Sequence, residues 1–138
     1  MNPNTRKIVV LVAAGVVVLA AFMPWVSAWA AFVGTFTKNG IDGDGKITLL
    51  LAGAVIVCVL GGRQRLALLP ALTLAGVAVY EAIHISERIH TLNARPDVPA
   101  TGSVGIGVWL TLAGAITVAG LCGLDVLKPP ELREGHGT

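Results

Sequence analysis

Ile8–Val33 reads IVVLVAAGVVVLAAFMPWVSAWAAFV, an apolar run without a single charged residue. A bilayer's hydrocarbon core of ~30 Å takes ~20 apolar residues as helix, and this run exceeds that length. Three more stretches of the same kind follow at Ile47–Gly62, Leu66–Ile85 and Val104–Leu124, with short polar pieces between them. The pattern predicts an all-α fold, a four-helix transmembrane bundle over residues 8–124. Residues 1–7 are expected as a short cytoplasmic N-terminus and 125–138 as a disordered cytoplasmic tail. That tail begins with Lys128-Pro129-Pro130 and continues in charge and glycine.

Composition agrees with this class. Charged residues make up 13% of the 138-residue chain, where a water-soluble domain carries about a quarter. The segments outside the four runs are too short to hold a separate soluble domain. The net charge of +2 is spread along the chain, leaving no basic patch for nucleic acid. The bilayer is the expected partner, together with other membrane proteins or further copies of the chain. Cys58 and Cys122 both fall inside apolar runs and read as small packing residues.

Lysine and arginine set the expected sidedness. Arg6, Lys7, Arg63, Arg65, Lys128 and Arg133 lie on one side, against Lys38, Lys46, Arg88 and Arg95 on the other. The positive-inside rule then places both termini and the Arg63–Arg65 turn in the cytoplasm, in the cell inner (plasma) membrane. Trp25 and Trp29 suit an interfacial aromatic belt at the outer end of the first helix, which Pro24 is expected to kink. The start of the chain also has the shape of a signal peptide, with Arg6-Lys7, an apolar run and Ala28-Trp29-Ala30 as a cleavage site.

Small residues recur four apart at Ala71/Ala75, Ala78/Ala82, Ala115/Ala119/Gly123 and Ala54/Cys58. In lipid such positions let helix backbones approach closely. Leu51-Ala52-Gly53-Ala54 repeats as Leu112-Ala113-Gly114-Ala115, either a trace of two related hairpins or a consequence of composition.

Two segments carry candidate chemistry. In Gly40-Ile41-Asp42-Gly43-Asp44-Gly45-Lys46-Ile47-Thr48 the second half resembles an EF-hand loop, with Asp42 and Asp44 as ligands. The glutamate that such a loop needs at its twelfth position is replaced by Leu51. The segment reads either as a tight turn with a helix-capping aspartate or as a weak external cation site. In Glu81–His90, Glu-x-x-His occurs twice on one predicted helix. The second glutamate is rotated ~120° from the first, so the two cannot share a metal and no metal site is expected. Glu81, His84 and Arg88 do share one helical stripe near the end of an apolar run. An ionisable stripe at that depth is either a path for ions or protons or a local interfacial cluster. Gly102–Gly107 reads as a flexible helix start. No nucleophile constellation, Cys-x-x-Cys or phosphate loop is present, so neither catalytic residues nor cofactors are expected.

Met23-Pro24-Trp25-Val26, Gly40–Gly53 and Val104-Gly105-Ile106-Gly107-Val108-Trp109-Leu110 resemble small, uncharacterised four-pass membrane proteins of actinobacteria and their phages. The resemblance implies architecture and host group and adds no catalytic or binding residues. The missing catalytic set, the many small-residue faces and the short outer loops lead to the expectation of a non-enzymatic role in contact with other membrane proteins, as an accessory subunit or, by analogy with small phage membrane proteins, in superinfection exclusion. The alternative is an oligomeric ion or proton conduit using Glu81 and His84.

Overall fold

The computed structural model describes residues 2–95, 97 and 99–127. In chain order it contains α1 (Pro3–Ala20), β1 (Pro24–Ala30), β2 (Gly34–Asn39), a single 3-10 turn (Gly40–Asp42), α2 (Gly45–Leu60), α3 (Gln64–Asn93), β3 (Ala100–Val104) and α4 (Ile106–Leu127). The protein is mostly helical but not purely so, because three antiparallel strands form a sheet in the order β2-β1-β3.

The largest departure from expectation lies in the first apolar run. The helix stops at Ala20 rather than continuing to Val33. Its last carbonyls are closed by tightened bonds, Phe22 N–H to Leu19 O (3.0 Å) and Met23 N–H to Ala20 O (3.1 Å). Pro24 then ends the helix instead of kinking it: it has no N–H to donate, and its ring forces Met23 out of helical geometry. The following Trp25-Val26-Ser27-Ala28-Trp29 is rich in strand-forming residues and becomes the central strand. An apolar run without a period is compatible with helix or strand, and here it is one and then the other. Ala28-Trp29-Ala30, the cleavage site of the signal-peptide reading, lies in the central strand and is paired on both edges.

The other boundaries shift less. Pro3 opens α1, and the Asn2 side chain accepts a hydrogen bond from the Asn4 N–H (3.2 Å), so most of the expected polar N-terminus is helical. α3 runs through Glu87 to Asn93. α4 covers Asp125–Leu127 of the expected tail, whose remainder lies outside the described residues. Gly102–Val104, expected as a flexible helix start, belongs to β3, which pairs with β1 from Val26↔Val104 to Ala30↔Ala100.

The two sheet edges differ. On the β3 side, the Asn93 side chain at the end of α3 donates to Gly102 O (3.1 Å) and accepts from Gly102 N–H (2.8 Å), as a neighbouring strand would. Gly102 fits there because a Cβ would lie 3.3 Å from Leu92. On the other side every residue of β2 is exposed. The β1–β2 turn presents Phe32 and Val33 to the outside, Phe32 fully exposed with a positive φ of 75°.

Each helix packs on two others: α1 on α2, α2 on α3, α3 on α4 and α4 on α1. The core between them is made of small side chains. One layer holds Val10, Ala14, Val55, Val59, Ala67 and Ala71; the next holds Val17, Ala52, Leu74, Ala78 and Ala115. Both cysteines are thiols, Cys122 buried and Cys58 half-buried. Gly114 brings α4 against α1, since a Cβ there would lie 2.6 Å from Val17. Its counterpart in the sequence echo, Gly53, faces open space, and Ala54 is exposed where Ala115 is buried. The echo therefore has no common structural role and reflects composition.

Large apolar side chains turn outward instead. Leu50, Val57 and Leu69 are each at least 70% exposed, while alanine and valine fill the interior. Three helices, α1, α3 and α4, are long and apolar enough to cross a membrane. α2 has 16 residues, about 24 Å at 1.5 Å per residue.

Candidate functional site

At the sheet end of the helices, Trp25 forms the floor on which the other groups are arranged. It is buried against Ala82 and Val108, and its indole N–H donates to Ala20 O at 2.9 Å. Glycines make room on both sides. A Cβ at Gly40 would collide with the indole ring, and one at Gly107 would sit 2.6 Å from Trp25 Cδ1. Trp25 is thus a buried wedge between α1, α4 and the Gly40 turn, not part of an interfacial belt. Trp29, four positions along the strand, is the half-exposed one.

Beside this wedge, between β2, the Gly40–Asp44 turn and α3, lies a cavity of about 360 Å³. Glu81, His84 and Arg88 all line it, and so does Asp44. The structure therefore brings together two segments that are far apart in the sequence. Asp42 does not join them; it is exposed in the 3-10 turn and lies outside the lining. Asp44 stands at the N-cap position of α2 but makes no capping hydrogen bond, so the capping expectation fails there. The tight turn is present: Gly43 N–H donates to Gly40 O at 3.0 Å, and Gly45 lies so close to Gly40 that a Cβ would be 2.5 Å from its carbonyl oxygen.

Glu81 is only 7% exposed. Among the described residues no hydrogen bond or ion pair reaches its carboxylate, so the local pairing with His84 or Arg88 expected of an interfacial cluster is not made. Asp44 and Glu81 border the same cavity, so two acidic side chains share that space. His84 is occupied otherwise: its ring stacks on Tyr80, with centroids 5.6 Å apart and planes 10° from parallel. His84 and Arg88 also border a more open cleft with Glu87, Thr91 and Arg95 along the far end of α3.

Two further polar groups are buried more completely. Thr48 on α2 and Thr111 on α4 are 0% and 2% exposed, and neither hydroxyl has a hydrogen-bond partner among the described residues. Each precedes a core alanine, Ala52 and Ala115, by four residues, one helical turn. Glu81 follows Ala78 by three on α3. The three polar side chains thus share a level just beyond the apolar layer, and the sequence marks them only by this spacing. Phe36 and Lys38, which also line the cavity, come from a strand that the apolar pattern does not announce. Among the described residues, no three of His, Cys, Asp or Glu are grouped so as to hold a metal ion.

Comparison with family models, with curated proteins and with solved structures finds no match to this chain.

Proposed function

We propose that this is a non-enzymatic integral protein of the plasma membrane. In this reading it crosses the bilayer four times with both termini cytoplasmic, and it acts through contacts with other membrane proteins or with further copies of itself. The membrane part is supported by an inside-out distribution of size. Only 28–39% of the residues in the three long apolar windows are buried, and the large side chains face outward. In water such a continuous apolar surface favours aggregation; in lipid it is solvated, and small interior residues provide the close packing that holds helices together. α2 is short for a crossing, but Lys46 and Arg63 flank it, both exposed, and their stems can carry the charges to either interface.

The contact reading rests on the sheet end: one sheet edge is closed by Asn93, while the β2 edge and the Phe32-Val33 tip are left open. An unpaired strand edge beside exposed apolar side chains is a template for pairing with another chain. Superinfection exclusion and an accessory-subunit role are both forms this contact can take. A photo-crosslinking residue placed at Thr37 in native membranes tests it. We expect a discrete adduct that Phe32→Asp reduces at least tenfold, with no comparable adduct from position 72 on α3. A chain that stays monomeric and yields no adduct from β2 contradicts the reading.

The conduit reading is favoured by one observation, the buried Glu81 at the cavity. Beneath it, however, Val17, Ala52, Leu74, Ala78 and Ala115 close the space between the helices. A path would have to run between copies, and its sign would be proteoliposome flux that Glu81→Gln abolishes.

A further inference from the structure

We propose that the cavity beside Trp25 is a binding site for an organic ammonium compound with a small apolar body, its cation held against the Glu81 and Asp44 carboxylates. This is independent of the contact reading. Three observations carry it. First, Glu81 is nine-tenths buried, lines the cavity and has no hydrogen-bond or ion-pair partner among the described residues. A carboxyl so placed is kept neutral unless a cation compensates its charge. Second, Asp44 adds a second carboxylate to the same space and spends no hydrogen bond on capping α2. Two acids lining one cavity are eased either by a proton on one of them or by a cation between them.

Third, the rest of the lining is wrong for a bare metal ion and right for an organic cation. Trp25, Phe36 and Tyr80 supply aromatic side chains, Tyr80 with one ring face stacked on His84, and Ile85 and Ile89 supply aliphatic wall. Aromatic faces attract ammonium groups, most strongly where water is excluded. Among the described residues the cavity offers no metal-ligand cluster. A volume of about 360 Å³ is at the lower end of small-molecule sites. Lys38 and Arg88 also line the cavity. Arg88 is seven residues along α3 from Glu81, about 10 Å at 1.5 Å per residue, so on this helix the cationic residue stands two turns from the buried acid. This polarity favours a monocation with its charged end inward and disfavours dications.

The test uses the full-length protein in lipid nanodiscs and titration calorimetry with benzyltrimethylammonium, with phenylacetate as an anion of similar size. We expect saturable one-to-one binding of the ammonium and none of phenylacetate. Glu81→Gln and Asp44→Asn should each weaken binding at least tenfold, while Glu87→Gln, on the same helix but outside this cavity, leaves it unchanged. Asp44 is exposed and caps nothing, so Asp44→Asn keeps the test open if Glu81→Gln fails to fold. Absence of saturable binding to the folded protein, equal binding by Asp44→Asn, or phenylacetate binding as tightly as the ammonium would each overturn the proposal.

Discussion

Replacing Trp25 with alanine is expected to lower the free energy of unfolding by about 3–5 kcal/mol, the usual range for removing a buried tryptophan. The indole is 5% exposed and wedged where α1 ends, α4 begins and the Gly40 turn crosses. Alanine would leave a cavity at that junction and remove the bond to Ala20 O, leaving that carbonyl with the Met23 N–H. The sheet depends on the same residue through its backbone, because Trp25 O accepts from Gly105 N–H at 2.7 Å. Trp29→Ala is the control. Its side chain is 49% exposed, and the loss should stay below about 1 kcal/mol. Denaturant titration of both variants in the same detergent, followed by circular dichroism, measures the difference. Similar losses for the two would refute the wedge.

Gly107→Val should cost about 1–3 kcal/mol for the opposite reason, overpacking. Its Cβ would sit 2.6 Å from Trp25 Cδ1 and 2.9 Å from Ala20 O, and neither the ring nor the helix end can give way cheaply. The two substitutions should not add. In the Trp25→Ala background the valine enters the vacated space, and its cost should fall by more than half, a coupling that two distant sites would lack. Additive losses in a double-mutant cycle would show that Gly107 and Trp25 do not press on each other.

How much of this was legible in the sequence depends on which physical signal each element carries. Hydropathy alone announces α2, α3 and α4 and the first part of α1, since length and apolarity are enough for that assignment. It is silent about β1, because Pro24–Ala30 continues the apolar run of α1 and nothing in hydropathy separates a helix from a strand paired on both edges. Pro24 was the available signal, and it reads as a kink or as a stop depending on what the following residues pair with. They pair with β2 and β3, and those partners lie in segments that read as loops. The candidate site was legible in parts. Glu81, His84 and Arg88 share a stripe by helical spacing alone, but the cavity exists only because the sheet carries Phe36 and Lys38 over them. Likewise, no spacing rule brings Asp44 to Glu81; the Gly40–Asp44 turn does, and it can lie so close because Gly40 and Gly45 have no side chains to obstruct it.

The central claim is that lipid surrounds the four helices and that the sheet stands outside the cell. Single cysteines at Thr37 on β2 and at Arg63 in the α2–α3 turn, in a chain with Cys58 and Cys122 replaced by alanine, test both halves with a membrane-impermeant maleimide on intact cells. Position 37 should react from outside, and position 63 should react only after the membrane is permeabilised. Reaction of both positions in intact cells, or of position 63 alone, would contradict the account.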